Sequence, residues 1–198
     1  MPEQIEGPTL SMPVSESRDH INGPQSAPVT LVEYGDYECS YCGEAYGILK
    51  ELHARVGEQV RLVFRNFPLT QLHPHAERAA EAAEAAAAQG RFQPMHDILY
   101  EHQDALEDDD LVAYAAQLGL DLGRFQIDLS QGTYVPRIRE DFMSGVRSGV
   151  NGTPTFFVNG RRHDGPWDLQ SLMAVVTSTL RWHNRGNSGH STHRPHLG

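Results

Sequence analysis

The spacing of apolar residues changes several times along the chain, and each change marks an element. Residues 29–34, Val-Thr-Leu-Val-Glu-Tyr, are apolar and β-branched and read as a strand. After a turn at Gly35-Asp36, residues Ala45, Ile48, Leu49, Leu52 and Val56 recur at helical spacing, with polar Glu44, Lys50 and Glu51 elsewhere. Gly57 ends that periodicity, and residues 60–64 alternate as a second strand. A helix between two strands predicts a parallel pair joined by a right-handed crossover.

From residue 73 to 149 the pattern is helical throughout. Residues 76–89 are dominated by Ala and Glu, strong helix formers, and Gly90 supplies a stop. Further helices are expected at 91–101, at 108–118 behind three aspartates that suit a helix N-terminus, at 122–129, and at 134–147 with Pro136 in its first turn. Strand character returns at 155–158, Thr-Phe-Phe-Val, and Asn159-Gly160 signals a tight hairpin into 161–163. A closing helix is expected at 168–181, with Leu172, Val175, Val176 and Thr179 inward.

Composition narrows the class. A chain of 198 residues can bury a full core as one domain with an insertion. Its net charge of −10 argues against a general nucleic-acid binder. No apolar run approaches the roughly 18 residues of a membrane span. Residues 1–20 read as an extended arm or tail, and residues 183–198 as a disordered His-rich tail in which loose metal chelation is the lesser reading. The segment from Met1 to Pro8 has neither a basic nor an apolar signal region, so the expected setting is cytoplasmic, with the thiols mostly reduced.

Candidate chemistry rests on Cys39-Ser40-Tyr41-Cys42, which contains both cysteines of the chain at the junction of strand and helix. A structural disulfide closing so small a loop would contribute little stability. Zinc would want four ligands, and although His73 and His75 could be proposed as the others, nothing in the sequence brings them to Cys39. A redox dithiol fits best, because a helix N-terminus stabilises a thiolate. No metal site is assigned.

The pair, the strand leading to it, Arg65-Asn66-Phe67-Pro68-Leu69 and the distant Gly152-Thr153-Pro154-Thr155-Phe156 together resemble the DsbA-like thiol-disulfide oxidoreductases of the thioredoxin superfamily. The resemblance runs from about residue 21 to 182. It implies an α/β thioredoxin fold split between residues 21–72 and 150–182, with the helical segment 73–149 inserted between a βαβ and a ββα half. It also implies dithiol–disulfide exchange with cysteine-containing protein substrates and a redox partner, without an organic cofactor, and a cis-proline loop at Thr153-Pro154 facing the cysteines. Many relatives carry proline after the first cysteine, where this chain has Ser40.

Roles follow for single residues. Cys39, nearest the helix start and expected to be exposed, is the nucleophile, and Cys42 is the resolving thiol. Asp36, Glu38 and Glu44 add negative charge, and Ser40-Tyr41 lacks a histidine, so a very low Cys39 pKa is not expected. Glu33, the one acid in the first strand, is the candidate proton carrier for Cys42, with an exposed, arginine-paired charge as the alternative. Thr153, Pro154, Ser40 and Tyr41 are the candidate substrate contacts, the Thr153 backbone being free to pair with an extended chain. Competing functions are a glutathione- or peroxide-linked thiol reductase and a non-catalytic peptide-binding or chaperone module.

Overall fold

A computed structural model describes residues 7–187, with the backbone alone for 183–187. The reading of the first residues as lacking an export signal, and most of the expected His-rich tail, lie outside the described residues. The elements run β1 (His20–Asn22), β2 (Val29–Gly35), α1 (Ser40–Val56), β3 (Val60–Asn66), α2 (Ala76–Ala87), α3 (Phe92–Glu101), α4 (Asp108–Gln117), α5 (Leu122–Gln131), α6 (Val135–Arg147), β4 (Thr155–Val158), β5 (Arg161–His163) and α7 (Leu169–Asn187). This is the mixed α/β thioredoxin-like fold with a helical region between its two halves.

The sheet order is β1-β3-β2-β4-β5, with β2 and β3 parallel and the other pairs antiparallel. Strand alternation sends Leu31 and Glu33 to one face and Val32 and Tyr34 to the other. The first face packs Leu31 and Phe156 against Ala45, Leu49 and Leu52 of α1 and Leu172 and Val176 of α7. The second packs Tyr34, Val63 and Phe157 with Phe67, Val150 and Phe142. A third cluster joins the cysteines and Tyr37 to the alanine face of α2 and to α3, α4 and α5. The helices therefore roof the end of the sheet where β2 delivers the dithiol.

Two features differ from the sequence reading. Strand β1 was not expected, because His20-Ile-Asn is too short to show a period. It pairs with β3 through Ile21 and Val63. The closing helix continues to Asn187, beyond the expected end at 181.

The N-terminal segment is fastened to the body. Thr9 bridges Arg161, and Ser11 bonds to Ser148 and to the Ser144 carbonyl. Arg65, fully buried, donates to both oxygens of Asp19, to the carbonyls of Met12 and Pro13, and to the Tyr34 hydroxyl. All the donors of a buried guanidinium need partners, and the arm supplies most of them.

Candidate active site

Strand β2 ends at Gly35, and Asp36 turns the chain so that Cys39 becomes the N-cap of α1, its backbone extended at φ −75° and ψ 120°. The Cys39 N–H donates to the Asp36 carbonyl, while Cys42 falls one turn into the helix and packs inward. The Thr153-Pro154 peptide bond is cis, and Cys39 Sγ lies 3.5 Å from the Thr153 carbonyl oxygen. Cys39, Cys42, Thr153 and Pro154 are thus brought together from opposite ends of the chain.

Cys39 is not exposed as expected: only 5% of it is accessible, and Cys42 is fully buried. The Thr153 loop covers one side of it. On the other, Gln103 reaches from the loop after α3 to donate to the carbonyls of Tyr37 and Cys39, each at 2.8 Å. Gly43 makes room for that glutamine, since a Cβ there would sit 2.1 Å from Gln103 Oε1. Ser40 and Tyr41 remain outside, Tyr41 61% exposed. These two and Pro154 form the accessible rim of the sulfur pair.

The two thiols are driven apart electrostatically. A hydrogen bond from the Cys42 thiol is the largest cause that draws the Cys39 pKa down to about 5, with Thr153 and the N–H groups of Cys42 and Tyr41 assisting against burial. Burial, the bond to Cys39 and the charge of Glu33 all push Cys42 far up. Glu33 is 5% exposed, and its Oε1 has no hydrogen-bond partner among the described residues. Burial first, then the Cys39 charge, raise its pKa to about 8. No ion pair of Glu33 with an arginine is seen among the described residues; Arg65 is spent on Asp19 and Tyr34.

The acids of the flank are hydrogen-bonded by groups that the sequence does not place. Buried Asp36 accepts from the N–H groups of Glu38 and Leu69 and from the His73 ring, each at 2.8 Å. Against partial burial, the Asp36 bond and the charges of Asp36 and Cys39 raise the His73 pKa. Glu38 bonds to the ring and N–H of His75, and that bond is the main cause of a raised His75 pKa. The two histidines are therefore hydrogen-bonded to the acids beside the dithiol. No cluster among the described residues could hold a metal ion. Sequence reasoning also missed Gln103 and the Tyr37–His96 hydrogen bond beneath the motif, at 3.0 Å. Gln103 and His96 come from α3 and the loop after it, remote in sequence, and only the fold brings them in.

Fold and paired thiols together define a protein of the thioredoxin class. A family model described as thioredoxin matches residues 15–178, and the chain belongs to that family, its structural neighbours being DsbA-like thiol-disulfide oxidoreductases. A thioredoxin-like oxidoreductase from Silicibacter pomeroyi superposes with a TM-score of 0.73 at 28% identity, over 83% of this chain and 93% of that one. Oxidised BdbD from Bacillus subtilis gives 0.77 at 21% identity over 89% and 98%, a likeness of fold. In sequence, the chain is 52% identical over 171 residues to Na(+)/H(+) antiporter NhaA 3 of Salinispora tropica, covering 86% of this chain and 26% of that protein. NhaA of Herminiimonas arsenicoxydans is 46% identical over 172 residues, covering 87% and 27%. The chain spans about a quarter of the length of these curated relatives.

Proposed function

We propose that this chain is a thiol-disulfide oxidoreductase acting on cysteine-containing proteins through a mixed disulfide at Cys39. The observation that carries it is the paired geometry of the sulfurs: a Cys39 thiol held low by the Cys42 thiol, beneath the Thr153-Pro154 loop. In the reducing direction, the Cys39 thiolate attacks a substrate disulfide and expels one substrate sulfur as a thiolate. Cys42 then attacks Cys39 Sγ, forming the Cys39–Cys42 disulfide and releasing the second substrate sulfur. Two electrons pass from the dithiol to the substrate, and the Cys42 proton passes to ionised Glu33. The Thr153 backbone and the Ser40-Tyr41 rim hold the substrate strand during both steps.

Reduction of insulin by dithiothreitol, followed by turbidity, tests this reading. Acceleration abolished by Cys39→Ser is expected; no acceleration favours the non-catalytic binding module. Acid-quenched thiol trapping in cells reports the resting state, a dithiol fitting the proposed cytoplasmic setting. The antiporter name of the curated relatives favours one further reading, in which the targets of the dithiol lie on an ion exchanger in the same or a partner chain. Capture by a Cys42→Ser variant, with identification of the trapped cysteines, checks it.

A further inference from the structure

Three helix starts converge beside the dithiol. Cys39 is the N-cap of α1, His75 that of α2 and Glu107 that of α4. The His75 ring lies between the other two. Its Nδ1 is 2.9 Å from Oε1 of Glu38, the residue before the nucleophile, and its Nε2 is 3.1 Å from Glu107 Oε1. The His75 N–H also donates to the second Glu38 oxygen at 2.6 Å. One ring thus joins the turn that carries Cys39 to the start of α4, a few residues after Gln103, which bonds the Tyr37 and Cys39 carbonyls.

An ionised carboxylate only accepts, so a ring between two of them must donate from both nitrogens. Neutral imidazole carries one N–H and imidazolium two, so both contacts are hydrogen bonds only while the ring is protonated. The bond to Glu38, then the charges of Glu38 and Glu107, raise the His75 pKa against slight burial. Once the ring is neutral, one carboxylate faces a nitrogen lone pair. Glu107, 76% exposed, is the one that leaves, because Glu38 keeps the His75 N–H. The other charges around the ring have their own partners or point elsewhere. Arg78 of α2 holds Asp108 of α4 at 2.7 and 3.0 Å, and Asp110 accepts from the Glu107 N–H. His73 bonds Asp36, a single carboxylate that a neutral ring also serves. Glu77 and Asp109 lie in the first turns of α2 and α4.

We propose that His75 is a proton-operated clasp between the dithiol turn and α4, closed while its ring is charged and open when it is neutral. The Arg78–Asp108 pair is the pivot that keeps α4 on α2, since Arg78 is held above and Asp108 below its ordinary value and neither changes charge near neutral pH. Release of Glu107 removes one polar tie between the turn and the segment that screens Cys39, leaving those of Gln103. A bulky reagent then reaches the sulfur more readily. The direction follows from linkage: with a raised value, the contribution of the clasp is complete below the ordinary histidine range and is lost as pH rises through the folded value. The clasp deepens the proposed exchange at Cys39 by adding control of access, and its test needs no turnover.

Paired alkylation of the full chain tests it. Cys39 of the reduced protein is labelled with N-ethylmaleimide and, separately, with a maleimide on a long polyethylene glycol chain, and the rates are read by mass spectrometry. Both reagents need the thiolate, so the ratio of their rates cancels Cys39 ionisation and reports access. Between about pH 5.5 and about 9 the bulky-to-small ratio should rise several-fold in the parent. Its midpoint should coincide with the titration of the His75 ring followed by NMR, above the ordinary value of about 6.5. His75→Arg keeps a charge and donors for both acids at every pH, so its ratio should stay low. Glu107→Ala removes the far acceptor from an exposed position, so its ratio should be high throughout and its ring should titrate lower than in the parent. A ratio flat with pH in the parent, or an equal step with pH in Glu107→Ala, would overturn the clasp. The step observed in a protein that does not reduce insulin would support the clasp and count against the oxidoreductase reading alone.

Discussion

A carboxylate three residues before a thiol ordinarily keeps the thiol protonated, yet Cys39 beside Asp36 falls to about 5. The Cys42 thiol first, then Thr153 and the N–H groups of Cys42 and Tyr41, draw it down, and the His73 ring, hydrogen-bonded to Asp36 at 2.8 Å, gives that carboxylate a partner of its own. His73→Gln leaves Asp36 held by backbone donors alone, so the inflection in Cys39 alkylation with pH should rise by roughly one unit. An unmoved inflection would confine His73 to shaping the loop. Glu33 carries the opposite burden. Its folded value of about 8 exceeds the ordinary carboxyl value of about 4.5, so below about 4.5 neither state is ionised and nothing is lost. As pH rises to about 8 the unfolded chain ionises first and stability falls, by roughly 5 kcal/mol in all, after which the decline ends. Glu33→Gln should flatten this slope, gaining on the parent in chemical denaturation as pH rises, while slowing thiol exchange. An identical slope in both proteins would show that Glu33 ionises freely when folded.

Among the elements, α6 shows how close packing supports the site from behind. A Cβ on Gly145 would lie 2.7 Å from the Phe67 ring and 3.0 Å from that of Tyr34. Phe67 belongs to the segment whose neighbour Leu69 donates to Asp36. Gly145→Ala should therefore cost roughly 1–3 kcal/mol through overpacking, read from the denaturation midpoint at unchanged slope. Stability equal to the parent would mean that α6 shifts freely. Elements of this kind were legible in the sequence where periodicity is strong: β2, α1, β3 and the helices from Ala76 onward appear within a few residues of expectation. Hairpin β4–β5 follows from Asn159 and Gly160, which adopt φ of 47° and 82°. Strand β1 was not legible, because its register is imposed by β3. The site was legible in its cysteine pair and, through the family resemblance, in the cis Thr153-Pro154 loop that meets Cys39, but not in its remaining partners. Cys39 and Cys42 announce themselves by spacing, whereas His73, His75 and Gln103 act through contacts that no spacing encodes, and the burial of Cys39 depends on Gln103 and the Thr153 loop.

At the scale of the molecule, the sheet is tied to its arm and helices by a polar network. Arg65 joins Asp19 and the arm, Arg18 and Arg137 meet Asp141, and Glu84 bridges His20 and Asn66. Arg65→Met leaves Asp19 buried without its main partner and should cost roughly 3–5 kcal/mol. A loss under about 1 kcal/mol would show that Arg18 alone satisfies that carboxylate. This frame holds β2 and β3 in register and so fixes the turn that presents the dithiol under the Thr153-Pro154 loop. The central claim is that this presentation makes Cys39 the one sulfur that meets substrate. The most direct measurement is mass spectrometry of single-cysteine variants after reaction with a protein disulfide. Cys42→Ser should accumulate a mixed disulfide through Cys39 that the parent protein resolves, and Cys39→Ser should form none. An adduct through Cys42, or no adduct in either variant, would contradict the account.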